Sequence, residues 1–545
     1  MKYINKFLLT FAAVGLLAGT GCKKFRDVNV DPNNAADVTV ELLLPSAQAD
    51  IAQVYGSKFQ VIGSIWGQYW TQNPNSSQYR ELEQYQISAA FASNGWNELY
   101  SVGLKDLDQI IKKAGTKKNY AAIAKILKGY TYHLLTDQFG DIPFSEALKA
   151  DEGISSPKYD SQEDVYNGII AMVMEGRDEL DPNSTTPGND DLIYHGDLEL
   201  WQKFANTLLL KVYMRLSAVA PTVAQQGIAA IDATGIGYLA EGESAEVHYF
   251  NEAGNFNPLF SEMNNATITR IQNLVASKTT IDSMNANNDY RLFAFYTPAP
   301  AGFVALEQGF YNIIPAASAY ATPSPAVGGR ADDDASAVAP VRLLSDYESL
   351  FLQSEGVVRG WLTGDDQELF ERAIAANYDA YSSTFSSLIS DETLPSIIAD
   401  SLATSDTTGV PQIVPFNVDY LVHTYLSGDD DIIHPQPGYQ LYLDGDPVSV
   451  TPASYWGTYP AAGTAQEKIR HIITQKWFSM CGNQGIEAWT EWRRTGFPEF
   501  FVISKNSRIG NVFPVRIPYP DDEVSNNQKF PGQKQVTEKV WWDAN

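Results

Sequence analysis

The stretch Glu487–Phe500, EAWTEWRRTGFPEF, is where side chains able to do chemistry crowd most densely. Glu487 and Glu491 stand four apart, so on a helix they share one face. Two carboxylates amid Trp489 and Trp492 could be the acid/base pair of a glycoside-cleaving enzyme, whose carboxyl groups lie about 5–9.5 Å apart. They could equally be two salt-bridged acids that hold a helix in place. Arg493 and Arg494 follow directly, and Arg470 and Lys476 lie upstream. Opposite charges at this density pair with one another, which keeps both acids ionised and without a proton to donate. The spacing therefore favours a structural role, with Trp489 and Trp492 as core anchors.

Other chemistries find less support. There is no Gly-x-Ser-x-Gly elbow, and the six His are scattered. No His-Glu-x-x-His occurs, and His434, between Ile433 and Pro435, reads as a loop residue. The runs SGDDDIIHP and RADDDAS gather carboxylates but lack the alternating spacing of an EF-hand loop, so they read as solvated acids. GYLAEGESAE lacks the Gly-Lys-Ser/Thr ending of a phosphate loop. Two cysteines, Cys22 and Cys481, cannot build a Cys-rich zinc site, and Cys481 reads as a small buried residue. No metal and no cofactor is expected.

The elements that must carry these residues are helical. In NYAAIAKILKGYTYHLLTDQFG, Ile123, Leu127, Tyr130 and Leu134 line one face, and Gly140 closes the helix. Ser161 opens the next helix, which stops before Pro182. LWQKFANTLLLKVYMRL is apolar on nearly every side, which predicts a helix sandwiched between others. Tyr347, Leu350, Val358 and Trp361 form one stripe, and Asp365 with Glu368 can cap a second helix carrying Phe370, Ile374 and Tyr381. Two helices in about 36 residues is the size of a tetratricopeptide unit, although no strict repeat is visible. Between the helices run two long Pro-, Gly- and Tyr-bearing excursions, near 296–344 and 391–467. Loops of that length are functional or disordered, and their aromatics argue against plain disorder. The expected architecture is mainly α, a frame of helical pairs carrying an irregular, loop-rich ligand face.

Lys plus Arg number 38 against 65 Asp plus Glu, a formal charge of −27 over 545 residues. Such a surface disfavours nucleic acid as a partner. At the start, Lys2 and Lys6 precede an apolar run from Phe7 to Leu17, which is too short to span a bilayer and matches an export signal. Gly-Thr-Gly-Cys then resembles a bacterial lipoprotein cleavage site, with Cys22 as the lipidated first residue, although Gly19 stands where Leu is usual. Residues 1–21 read as that signal and 22–545 as the mature chain. Membrane attachment is expected by anchor, not by a span.

The segment IITQKWFSMCGNQGIEAWTEWRRTGFPEF resembles the C-terminal signature of the SusD/RagB-like outer-membrane lipoproteins of Bacteroidetes, in particular their second SusD-like branch. DVNVDPNNA, GWNELYSVGLKDLDQII, AIAKILKGYTYHLLTDQFGDIPFSEAL, LWQKFANTLLLKVYMRLS, NNDYRLFAFY, YESLFLQSEGVVRGWLTGD and RIPYPDDEVSNNQ resemble other family segments in order. The resemblance implies four tetratricopeptide-like units and a lipid anchor at the cell surface. It also implies a SusC-like TonB-dependent transporter as partner, and capture of an oligosaccharide or other nutrient without catalysis. Lys23, Lys24 and Phe25 lack the acidic pair that often accompanies surface export in these bacteria.

Sugars stack on aromatic rings and bond to planar amides and carboxylates. The family's loop after the first long helix contributes to binding, and GSIWGQYWTQNPNSSQYRE supplies such a mixture. Trp70 and Tyr79 are the leading candidates, with Tyr69, Gln72, Asn73 and Asn75 beside them, while Trp66 reads as core. Tyr455, Trp456 and Tyr459 in the second excursion, and Tyr311 and Tyr320 in the first, are further candidates. A surface glycosidase using Glu487 and Glu491, or a tetratricopeptide adaptor with dispensable loops, are the competing readings.

Overall fold

The computed structural model describes residues 38–265, 269–313, 319–391, 442–443, 446–447 and 456–545. Cys22 and the export-signal segment lie outside them, as do Tyr455 and most of the second excursion. Several of the helices open on a side-chain cap. Helices α1 (Val40–Val54) and α2 (Gln60–Trp66) are joined by a π-helical turn at Tyr55–Phe59. After a loop come the short α3 (Arg80–Glu83), then α4 (Ala89–Glu98), α5 (Leu104–Lys113) and α6 (Lys118–Phe139). Gly140 ends α6 with φ of 78°, a left-handed conformation that glycine adopts without strain. Ser161 accepts the Asp164 N–H to open α7 (Gln162–Glu179), and Asp197 accepts two N–H groups to open α8 (Leu198–Arg215). Helix α9 (Pro221–Asp232) follows. Ser345 caps α10 (Asp346–Val358), Asp365 caps α11 (Asp366–Asp379), and Thr464 with Glu467 forms a full capping box on α12 (Ala465–Ser479). The signature helix is α13 (Gly485–Thr495).

These helices pack in neighbouring pairs, α6 on α7, α8 on α9 and α10 on α11, the last being the pair that the sequence periodicity predicts. Both α6 and α8 lie between other helices and are buried on nearly every side. Helix α13 crosses α2 so closely that a Cβ on Gly63 would fall 2.0 Å from the Ile486 nitrogen, and one on Gly485 2.4 Å from Ser64 Oγ. Two glycines thus let the C-terminal signature dock on the first helical segment. The chain after Gly496 wraps back over the frame and buries Trp542, whose indole N–H donates to Asp137 at 2.9 Å.

Among the described residues every sheet is two-stranded. Strands are β1 (Trp70–Gln72), β2 (Ala245–Val247), β3 (Leu274–Ala276) and β4 (Val341–Leu344). Strand β1 pairs antiparallel with β3, Trp70 opposite Ala276, and β2 pairs with β4. The first excursion differs from a free loop. Tyr296–Thr297 pair with Thr322–Pro323, and Leu306, Tyr311, Ala321, Val327, Ala337 and Leu343 are buried against the frame. Short ladders and 3-10 turns pair backbone groups of its described residues, so an irregular segment becomes a wall.

Candidate ligand-binding face

The opening glutamates sit inside a charge lattice. Arg215 of α8 donates to both Glu487 and Glu491, and Lys211, one turn earlier, lies 2.9 Å from Glu487 and 3.0 Å from Glu348. Lys476 of α12 is 3.2 Å from Glu491, while Arg494 bridges Glu491 at 2.7 Å and Glu355 at 2.6 Å. Glu487 is 5% exposed and Glu491 2%. Burial alone would push both carboxyls up, but the guanidinium and ammonium groups outweigh it. Glu487 is brought down to about 2, and Glu491 well below the usual carboxylate range. Neither carries a proton near neutrality, so neither can act as a general acid. Arg493 lies 3.9 Å over the Trp489 ring and donates to the Asp137 carbonyl at 2.8 Å. The lattice joins α8, α10, α12 and α13, the structural role that the spacing favoured.

The aromatic candidates divide. Trp70 and Tyr69 are fully buried, and Tyr69 stacks on Trp477 at 5.1 Å and donates its hydroxyl to the Trp477 carbonyl. Tyr79, 1% exposed, donates to Glu262 at 2.7 Å. Gln72 and Asn73 spend their amides on backbone: Gln72 accepts the Tyr79 N–H at 2.6 Å, and Asn73 donates to the Gln272 carbonyl at 2.7 Å. The pairing of β1 with β3 draws the segment inward, and the expected contact between these five side chains and a ligand gives way to a core and scaffold role. Trp66 is core, edge-on to Trp489 at 4.7 Å. Tyr459 is also buried, packing on Phe370 at 5.0 Å and donating to Asp366. Tyr311 is buried too; it accepts from Gln84 at 2.8 Å, and Arg80 lies 5.3 Å over its ring. Asn75 is exposed, and Tyr320 and Trp456 are half-buried. Tyr455 lies outside the described residues.

What this region presents to solvent is a set the sequence reading passed over. Phe310, beside buried Tyr311, is 42% exposed, Val304 36% and Val502 46%. Gly309, at φ 74°, turns the chain between the two faces, and its approach to Ser504 leaves no room for a Cβ, which would fall 1.9 Å from the hydroxyl. The segment is strapped to the 500s: the Lys505 N–H donates to the Gln308 carbonyl at 2.9 Å, and Asn312 donates to Asn506 at 3.1 Å. Beside them opens a cavity of about 350 Å³, lined by Phe500, Val502 and the charged Lys278, Asp282, Glu307 and Lys505. Trp456 packs near Phe500, its ring 6.5 Å away and beneath Arg470 at 5.1 Å. The Phe500 ring and the Val502 and Ile503 side chains with adjacent polar and charged groups give the cavity apolar surface and polar orienting groups, the composition of a solute-binding cleft. The Gly before Phe310 in EQGFYN is the one sequence signal that could have flagged the outward ring. Among the described residues no group of three His, Cys, Asp or Glu is placed to hold a metal ion.

A frame of helical pairs bearing an irregular wall and an aromatic cleft defines a binding protein built on a tetratricopeptide-like scaffold. Residues 32–396 match the SusD-like_2 family, described as starch-binding and associating with the outer membrane, and residues 422–543 match the family of SusD and RagB outer-membrane lipoproteins. The chain belongs to this SusD/RagB-like family of outer-membrane nutrient-binding proteins. No curated protein matches it. Similar solved structures include a chitin-binding SusD homologue from Flavobacterium johnsoniae, 22% identical, covering 92% of this chain and 99% of that one with a TM-score of 0.68. An outer-membrane protein from Bacteroides vulgatus, described in connection with nutrient binding, is 22% identical over 93% and 100% of the two chains, TM-score 0.68. A SusD homologue from Bacteroides fragilis is 21% identical over 93% and 99%, TM-score 0.67. At such identities these likenesses speak for the fold.

Proposed function

We propose that the protein is a lipid-anchored outer-membrane receptor that captures an oligosaccharide, or a peptide, and delivers it unaltered to a SusC-like TonB-dependent transporter. In this reading residues 22–545 form one nutrient-binding domain, lipidated at Cys22 and facing the cell surface. The family match over most of the chain carries the proposal. The cleft lined by Phe500 and Val502, with Phe310 exposed on the neighbouring turn, supports it as the place of capture, and half-buried Tyr320 and Trp456 and exposed Asn75 stay further candidates for contact. The ionised state of Glu487 and Glu491 speaks against hydrolysis at that pair. Chitin oligosaccharides are a reasonable first probe, because one structural relative is chitin-binding. The test is a glycan and peptide panel presented to purified protein, with retention and product formation recorded together. Retention with intact ligand is the expected result; released reducing ends that vanish in Glu487→Gln would overturn it in favour of an enzyme.

A further inference from the structure

The segment that carries Tyr69 and Trp70 meets the proposed cleft through a residue with no part in the binding reading. Gln68, two residues past the end of α2, is 1% exposed and held at φ 62°. Glycine enters that left-handed region freely, and most other residues enter it only against strain. Such strain persists where the surroundings hold it in place. Here they hold the side chain. The Gln68 carboxamide runs beside Val502 like a neighbouring strand, its Nε2 donating to the Val502 carbonyl at 2.7 Å and its Oε1 accepting the Val502 N–H at 3.1 Å. The same Oε1 accepts the Thr279 hydroxyl at 2.7 Å, and the Gln68 main-chain carbonyl accepts the Thr280 hydroxyl at 2.7 Å.

These partners belong to the two segments that line the cavity together with Glu307 and Gln308. One is the helix Lys278–Ala286, which contributes Thr279 and Asp282; the other is the stretch 500–505, which contributes Phe500 and Val502. Gln68 is not part of the lining. Each wall also has anchors of its own. The Lys278 N–H donates to the Leu306 carbonyl at 2.8 Å and the Lys505 N–H to the Gln308 carbonyl at 2.9 Å. Phe500 and Phe501 pack on Trp477, with ring centroids 5.3 and 5.8 Å away. Between those anchors the second wall hangs on Gln68, because among the described residues the main chain of 500–503 finds no other hydrogen-bond partner. The turn around Gln68 is seated without its side chain. The Trp477 indole N–H donates to the Gly67 carbonyl at 2.8 Å, and the Ser277 N–H donates to the Tyr69 carbonyl at 3.0 Å. Removing the carboxamide therefore strips Val502 of its pairing and leaves the frame in place.

We propose that Gln68 is the positioning residue of the cleft, a single carboxamide that sets the wall at Val502 against the wall at Thr279 without touching ligand. A side chain kept only to fill space at this backbone conformation would be replaced by glycine with relief of strain. A side chain kept for its three hydrogen bonds would not. The proposal rests on the cleft being the place of capture, but the tie between the walls is measurable in the free protein.

The test compares Gln68→Gly and Gln68→Asn with the wild type. Both accept the left-handed backbone, yet glycine lacks the carboxamide and asparagine carries it one carbon short of Val502. In both, the Val502 amide, followed by hydrogen exchange in a peptide spanning 499–504, should exchange at least about tenfold faster, with peptides from α6 and α8 unchanged. Retention of a chitin hexasaccharide should weaken at least about tenfold while the unfolding midpoint stays near that of the wild type. Gln68→Glu is the conservative rescue. Burial beside the Val502 carbonyl favours its protonated form, which can make the same three bonds, so at pH 5 it should recover both readouts. Unchanged exchange at 499–504 in the glycine and asparagine variants overturns the tie, and wild-type affinity despite faster exchange overturns the positioning role. Failure of both variants to fold would make Gln68 a residue of the frame and also overturns it. If the wild type retains neither the hexasaccharide nor any panel ligand, the capture reading alone is rejected, and the exchange rates still decide the tie.

Discussion

Neighbouring aromatic residues in this protein have opposite fates. Tyr311 is sealed beneath Arg80 and bonded to Gln84, while Phe310, one position earlier, stands in solvent. Truncating an exposed ring next to the cleft should cost affinity where ligand reaches it, and truncating one that fills a core should cost stability. Phe310→Ala is therefore expected to weaken binding of the panel-selected ligand at least tenfold, about 1.4 kcal/mol, with an unchanged unfolding midpoint. Trp70→Ala should lower unfolding stability by about 3–5 kcal/mol. Denaturant titration alongside ligand titration separates the two, and equal affinity for Phe310→Ala and wild type would reject the cleft. The sequence picks out ring-bearing segments but does not say which of their rings face solvent. Nothing local to Trp70 announces that its strand pairs with Ala276, far along the chain. A period-two pattern three residues long cannot say which side a remote partner covers.

At the scale of elements the sequence was far more legible, because helix caps and apolar stripes are local. Ser161 and Asp365 cap where their spacing predicts, and α8 is buried on nearly every side as its apolar surface requires. Of the cations nearby in sequence, Arg494 and Lys476 pair with Glu491, whereas Arg470 pairs with Glu499 and Arg493 donates to the Asp137 carbonyl, and Arg215 and Lys211 of α8 complete the set. That part depends on a helix crossing that no spacing encodes. The lattice predicts a pH signature. Glu487 and Glu355 are each held down to about 2 in the folded protein, against a usual 4.5. Their stabilisation is fully present above about pH 4.5 and is lost as pH falls toward 2. Thermal unfolding should show a midpoint that drops through this acid window. Glu491→Ala, which leaves Arg494, Arg215 and Lys476 short of a partner, should cost about 3–5 kcal/mol even at neutral pH. A variant as stable as wild type would show that the charges contribute nothing to holding α8, α12 and α13 together.

The whole molecule carries a formal charge of −27, and among the described residues no helix is long and apolar enough to cross a membrane. Anionic headgroups repel such a surface, so the folded domain supplies no electrostatic attraction to a bilayer. Under the proposed function, residence at the outer membrane comes from acyl chains on Cys22 and from the transporter. A single chain gives only marginal, reversible attachment, whereas two signals hold stably. Cys22→Ser should abolish incorporation of labelled palmitate and shift the protein from the membrane to the soluble fraction. The folded domain, with its glycan retention measured in solution, should be unaffected, because the first helix among the described residues starts at Val40, well after that residue. Co-purification of a large β-barrel from detergent extracts separates the two attachments. If the barrel alone holds the receptor, Cys22→Ser will remain in the membrane fraction and still bring the barrel down. If the acyl chains hold it, the variant will leave the membrane, and that outcome ties nutrient capture to the surface through lipid.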